Sequence, residues 1–283
     1  MVVSIVIPAH NEANYLPLCM ASFVNQTHPP DELIIIDDNS TDNTFQIAKE
    51  YADKHDWITV YQRKSNTAHI PGKKVIDTFN FGLAKCNLHF DLIGKFDADV
   101  VLPPNYFETM RNHFKSNWLL GMCSGLLYVE VNGKWEYETI ADKNHVRGPV
   151  KLYYRQVFEL MDGLKPAVGW DTVDVLLCKF HDFEVCTDKN LKVKHLRPTG
   201  HGYTSKNYKE KGIALYKMRY DIVLAKIALL KMAMQAKSPR LYLQAMLAYI
   251  GCYFTSTVPF VTKKEGQFIR TYRWKGIIKK LNP

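Results

Sequence analysis

VSIVIPAHNEANYLPLCMASFVNQTHPPDELIIIDDNS, residues Val3–Ser40, holds with the preceding Val2 two apolar, β-branched runs, Val2–Ile7 and Leu33–Ile36. Between them Leu16, Cys19, Met20 and Phe23 recur at helical spacing. A strand that is apolar on both faces is one covered on both faces, and strand–helix–strand at this spacing makes a parallel crossover. Each run stops at a polar cluster: Pro8-Ala9-His10-Asn11-Glu12 after the first, Asp37-Asp38-Asn39-Ser40 after the second. Ser40 is placed to N-cap the helix that carries Phe45, Ile47, Ala48 and Tyr51.

The alternation continues outward. Ile58–Tyr61 reads as a third strand, Gly72–Ala84 as a helix, and Leu92–Phe96 as a fourth strand ending at Asp97-Ala98-Asp99. After residue 100 the pattern changes. Pro103-Pro104 opens a short helix through Phe107, Met110 and Phe114. Leu120–Val131 alternates and Asn132-Gly133 turns it into Lys134–Glu138, a strong hairpin signal. Residues 150–162 and 171–180 read as helices, 184–195 as two short strands, and everything from Lys209 as helix. The expected fold is α/β, a mostly parallel sheet with an antiparallel addition plus a C-terminal helical segment. The expected division is a catalytic domain over residues 1–204, with halves of about 1–100 and 101–204, and a basic extension over 205–283.

The 283-residue chain carries a net charge of +9, and that charge is unevenly placed. Residues 1–204 hold 21 basic and 25 acidic side chains, whereas residues 205–283 hold 16 and 3. The tail therefore seeks an anionic partner. Cys19, Cys86, Cys123, Cys178, Cys186 and Cys252 are scattered without CxxC spacing, and MVVSIVIPAH lacks the charged start of a secretory signal. A reducing cytoplasmic location is expected.

Three acidic or amide clusters, His10-Asn11-Glu12, Asp37-Asp38 and Asp97-Ala98-Asp99, fall at the ends of successive strands. Ligands of open α/β sheets bind beyond those ends. Any one cluster serves equally well as a helix cap, but three together indicate a site. Asp97 and Asp99, one residue apart, direct oxygens toward one hard cation, and Mg²⁺ takes one or two carboxylates together with substrate phosphates. Neither GxxxxGK[ST] nor GxGxxG is present, which argues against P-loop ATPases and dinucleotide dehydrogenases. Without a backbone cradle, a diphosphate needs the metal and basic side chains such as Lys73.

The opening segment through DDNSTDNT resembles the inverting GT-A glycosyltransferases of family 2. The likeness continues through PGKKVIDTFNFGLAKC, FDAD, GWDTVD at Gly169–Asp174, and VKHLRPTG at Val193–Gly200. It covers roughly residues 1–200, with the motifs in the family's order. The resemblance implies that Pro8, Ala9, His10, Asn11, Glu12 and Asp38 hold the nucleotide, with Lys73 supporting it. Asp97 and Asp99 match the DxD motif, the first near the ribose and the second on Mn²⁺ or Mg²⁺. His195 is either a further metal ligand or a structural histidine. Where the family usually has Glu-Asp this chain has Trp170-Asp171, so Asp171 is the expected general base, with Asp174 one turn on as the alternative. Trp170 either stacks on a sugar or fills the core. The missing QxxRW-type motif points to addition of one sugar.

What these parts imply is one displacement. Asp171 takes the acceptor proton as its oxygen attacks the anomeric carbon opposite a departing diphosphate, so the configuration inverts. The donor is a nucleotide sugar, UDP first, with GDP and dTDP as alternatives. The acceptor is a saccharide or a lipid-linked saccharide. The loop 196–208, LRPTGHGYTSKNY, which includes Arg197 and His201, is placed to close over the site.

Leu241–Thr262 carries no charge over 22 positions and has basic neighbours on both sides. Gln244, Gly251, Thr255, Ser256, Thr257 and Pro259 dilute it, and its tyrosines suit an interface. An interfacial helical hairpin on an anionic membrane surface is expected, ahead of a helical appendage or a spanning helix. Two other readings compete. A sugar nucleotidyltransferase lacks its usual Gly-rich basic segment here. Nucleic-acid binding through the basic tail is not expected, since no recognition motif accompanies the charge.

Overall fold

The computed structural model describes residues 1–65, 72–87, 89–198 and 208–281. The N-terminal half runs β1 (Val3–Ala9), α1 (Leu16–Val24), β2 (Glu32–Asp38), α2 (Thr44–Ala52), β3 (Ile58–Arg63), α3 (Lys73–Leu83) and β4 (Leu92–Phe96). There follow β5 (Val100–Val101), α4 (Tyr106–Ser116), β6 (Leu120–Val131), β7 (Lys134–Tyr137), β8 (Val150–Tyr154), α5 (Arg155–Leu160), α6 (Trp170–Phe180) and β9 (Glu184–His195). Among the described residues four helices follow: α7 (Tyr208–Lys217), α8 (Ile222–Gln235), α9 (Pro239–Gly251) and α10 (Lys263–Leu281).

The sheet order is β3-β2-β1-β4-β8-β6-β9-β5, with β7 pairing β6. β3, β2, β1 and β4 are mutually parallel, β8 is antiparallel to β4 and β6, and β9 runs parallel to β6. The chain steps outward from β1 to β3, then returns to the other side of β1 as β4. That reversal is a topological switch point, and it opens a crevice at the carboxyl ends of β1 and β4.

Strand periodicity divides the apolar runs between two faces. Val3, Ile5, Ile7, Leu33 and Ile35 pack with Leu16, Phe23 and Phe107 on one side. Val6, Ile34 and Ile36 share the other side with Phe79, Tyr153, Trp170 and residues of α7–α10, among them Leu215, Leu241 and Ile269. The C-terminal helices therefore share a core with α3 and α6. Close approach is essential there: a Cβ on Gly212 of α7 would lie 1.8 Å from the Ala245 carbonyl oxygen of α9. Gly212→Ala is expected to force the two helices apart and to cost about 1–3 kcal/mol, read as a lower midpoint in urea.

Several expectations are corrected. Residues 150–154 form a strand, not the start of a helix, because VKLYY is captured between β4 and β6. Residues 184–195 form one 12-residue strand whose register shifts at Gly125/Leu126, rather than two. Ser40 caps no helix. α2 begins later, after Asn43, and Asp42 accepts from the Thr44 amide at 3.0 Å, while Ser40 Oγ accepts from the Asn11 amide at 2.9 Å. The uncharged stretch 241–262 is helical only to Gly251. Among the described residues no helix is long and apolar enough to cross a membrane.

Candidate active site

Asp97 and Asp99 follow β4 at the crevice. The two-residue strand β5 pairs Val100 with His195, which carries the end of β9 back to the same point. One ligand atom from each of Asp97, Asp99 and His195 lies within 4.8 Å of the others. His195 Nε2 is 3.6 Å from Asp99 Oδ1, and Nδ1 is 3.4 Å from Glu138 Oε2. Burial opposes charge on this imidazole, but its hydrogen bonds to Asp99 and Glu138 carry it up to about 9. Burial likewise opposes the Asp99 charge, which His195, Arg197 and Lys95 nevertheless hold below the usual carboxylate range.

Arg197 bridges the ends of β1 and β4. Its Nη2 lies 2.5 Å from Glu12 Oε1 and 3.0 Å from Asp99 Oδ2. Burial pushes Glu12 up to about 7 against the hydrogen bond from Arg197. The loops after β1 and β2 are stitched together as well. His10 Nδ1 is 2.6 Å from the Asp38 carbonyl oxygen, and Asn11 Oδ1 accepts from the Thr41 amide at 2.8 Å. Asn11 and Asn39 take the left-handed conformation that such tight turns require, at φ 55° and 58°. Pro8 and Ala9 end β1 beside Ile36 and Asp37.

Among the described residues, three buried carboxylate oxygens along this edge have no hydrogen-bond partner: Glu12 Oε2, Asp37 Oδ1 and Asp38 Oδ1. Buried acceptors left unpaired cost about 1–3 kcal/mol each, so this edge is built to receive donors. Asp38 is supported from below by Thr78 Oγ1 at 2.9 Å and by Lys74 Nζ at 3.7 Å. Lys74, rather than Lys73, is thus the α3 lysine beside Asp38. Lys73 forms an exposed pair with Asp77 at 2.5 Å.

The side of the crevice formed by β4, β8 and α6 is built on two lysines that sequence reading passed over. Lys95 of β4 and Lys151 of β8 are direct strand partners, 2% and 0% exposed. Lys95 pairs with Asp97. Lys151 lies 2.8 Å from both oxygens of Asp174 and donates to the Asp171 carbonyl at 2.7 Å. The two ammonium groups stand 5.1 and 5.3 Å from the ring of Trp170, a cation–π arrangement. At 7% exposure, within the apolar cluster, Trp170 fills the core rather than offering an open face to a sugar. Asp174 is 2% exposed, and Tyr153 Oη (2.6 Å) and the Val175 amide (2.6 Å) also donate to it. It is an internal ion-pair partner, so the two carboxylates of α6 do not share one open face. Asp171, in the first turn of α6, is only partly buried. Its turn starts at Gly169 in the left-handed region, φ 79°. Gly72, the residue before α3, packs against this segment, with no room for a Cβ beside the Ala167 carbonyl, at 2.4 Å.

His201 lies outside the described residues, and of the 196–208 loop only residues 196–198 and 208 are described. The signal that would have found Lys95 and Lys151 is a lone charge inside an apolar strand, LIGKF and VKLYY. Glu138, beside His195, carries no comparable signal.

Residues 4–166 of this chain match the family model of glycosyl transferase family 2. A probable glycosyltransferase, YdaM, from Bacillus subtilis is 37% identical over 99 residues, which is 34% of this chain and 22% of that protein. The first curated relatives are matched over only 16–27% of their length. The structure of S. aureus TarS 1-349 in complex with UDP-GlcNAc superimposes with a TM-score of 0.59 at 16% identity, covering 80% of this chain and 70% of that one. The mannosyltransferase PcManGT from Pyrobaculum calidifontis, in complex with GDP-Man and Mn2+, gives 0.58 at 16% identity, covering 91% and 76%. At that identity the likeness carries the GT-A fold alone. The family match spans more than half of the chain, and with the switch-point crevice and the DxD carboxylates it identifies this protein as a glycosyltransferase of family 2.

Proposed function

We propose that this enzyme transfers one sugar from a nucleoside-diphosphate sugar to an acceptor hydroxyl, with a divalent cation and with inversion at the anomeric carbon. The observation that carries the reading is the meeting of Asp97, Asp99 and His195 within 4.8 Å at the switch point. Two carboxylates and one imidazole suit Mn²⁺ or Mg²⁺. Bound there, such an ion would neutralise charge on the leaving diphosphate. The unpaired Glu12, Asp37 and Asp38 oxygens suit the hydrogen-bond donors of a base and ribose. Nucleotide sugars bound to TarS and PcManGT support that donor class, and UDP is the first candidate.

Arg197, 39% exposed, is placed to turn from Asp99 toward the diphosphate and meet its charge. Lys74 takes the supporting role beside Asp38 that Lys73 does not. Asp171 serves as base: the acceptor oxygen bonds to the anomeric carbon, its proton passes to the Asp171 carboxylate, and the bond to the diphosphate oxygen breaks. The catalytic machinery lies within residues 1–204. The acceptor is a saccharide or lipid-linked saccharide.

Calorimetry with UDP, GDP and dTDP, with and without Mn²⁺, tests the reading. Metal-dependent binding of one diphosphate is expected, and folded protein that binds none of them refutes the donor class. Asp99→Ala is expected to abolish the metal dependence of that binding. A metal-dependent isotherm unchanged by the substitution would place the cation elsewhere.

A further inference from the structure

Helices α8 and α9 pack against each other, and each leaves an apolar stripe uncovered. On α8 the stripe is Val223, Ile227, Leu230 and Met234, at i, i+4, i+7 and i+11, with Met234 71% exposed. On α9 and the turn after it, Leu243, Leu247, Ile250 and Phe254 repeat that spacing, with Leu247 at 70% and Phe254 at 85%. The opposite faces, Ala225, Leu229 and Ala233 on α8 and Leu241, Ala245 and Tyr249 on α9, are buried in the core. The stripes are therefore surplus to what these helices need for their own packing. Single exposed apolar residues are ordinary, but eight in two matched rows mark an interaction surface.

Charge decides what covers it. Between Asp221 and Glu265 the chain contains no acidic residue and six basic ones, Lys226, Lys231, Lys237, Arg240, Lys263 and Lys264. Lys226 and Lys231 are exposed on either flank of the α8 stripe, and Lys237 and Arg240 are exposed at the turn into α9. Long basic side chains beside an apolar stripe lay their stems along it and reach for anionic groups at its edge. A second copy of this chain would bring like charges together, whereas phospholipid headgroups oppose them.

We propose that the solvent face of α8 and α9 docks on an anionic phospholipid surface. The placement bears on the reaction site, because α7 joins this face to the turn that carries Asp171. Met218, just past α7, approaches within 3.9 Å of where a Cβ on Gly169 would lie. Docking so placed holds the acceptor side of the crevice close to the lipid and favours acceptors carried on lipid. That last step rests on the proposed transferase reading; the docking itself does not.

The test is flotation of the full chain with phosphatidylserine-containing vesicles and with pure phosphatidylcholine vesicles, at low and high salt. The chain is expected to float with the anionic vesicles at low salt only. Lys226→Glu/Lys231→Glu should weaken partitioning about five-fold or more per lysine. Leu230→Glu/Leu247→Glu, at two exposed positions that leave the core intact, should abolish flotation while the thermal melt and diphosphate binding stay unchanged. Failure to float, equal flotation with neutral vesicles, or flotation retained by the leucine variant overturns the proposal. A dimer in sedimentation velocity that the leucine substitutions dissociate also overturns it, in favour of a second copy. Diphosphate binding read in parallel separates these outcomes from any failure of the transferase reading.

Discussion

Asp171→Asn is expected to bind the donor diphosphate as the parent enzyme does and to lose transfer by about 10²–10⁴-fold, the range that a positioned base contributes. The substitution keeps size and shape in the first turn of α6. It leaves untouched the Asp171 carbonyl, which accepts from Lys151 at 2.7 Å. What it removes is the capacity to hold the acceptor's proton as the new glycosidic bond forms. Loss of an interaction made only in the transition state lowers kcat and kcat/KM together and leaves KM in place. Diphosphate release in the presence of acceptor measures the rate, and calorimetry on the same preparation measures donor binding. Transfer within a few-fold of the parent would exclude Asp171 as base. Asp174 would be no substitute, since its oxygens already accept from Lys151, Tyr153 and the Val175 amide.

Asp174→Ala is expected to act on the fold instead. It would strand Lys151, which is 0% exposed, without its carboxylate. Removing one partner of a buried ion pair costs about 3–5 kcal/mol, because the remaining charge keeps its desolvation penalty. Against a usual total of about 5–15 kcal/mol, much of the stability would go. Replacing both members, as Lys151→Met/Asp174→Leu, should recover most of it, since a well-packed apolar pair of similar volume is often neutral. Urea unfolding of the single and double variants checks this. A single variant that loses less than about 1 kcal/mol would mean that the carboxylate is not held in the interior and would return it to the list of candidate bases.

The parallel half of the sheet and its acidic edge were legible because both are local. Val2–Ile7 and Leu33–Ile36 declare strands covered on two faces, and the clusters at Glu12, Asp38 and Asp97–Asp99 follow directly where those strands stop. VKLYY was misread because five residues carry too little period to separate strand from helix. Its state was settled by the hydrogen-bonding edges of β4 and β6, whose partners lie 54 and 29 residues earlier, Phe96 for Val150 and Cys123 for Leu152. Ser40 has the right chemistry for a cap, but its hydroxyl was claimed by the Asn11 amide of a neighbouring loop.

The same division runs through the site. By itself the sequence determined which residue types were present, at which strand ends, and that the charge of the tail was strongly basic. Tertiary structure alone decided which of two neighbouring residues faces the crevice: Lys74 and not Lys73 beside Asp38, Asp174 turned inward to Lys151, and Trp170 buried among lysines. It alone brought His195 to Asp99 across 96 residues of chain, through a strand of two residues. The reason is physical. Strand and helix periods are written into side chains a few positions apart, whereas burial, ion pairing and the approach of distant strands depend on surfaces that exist only once the chain has closed on itself.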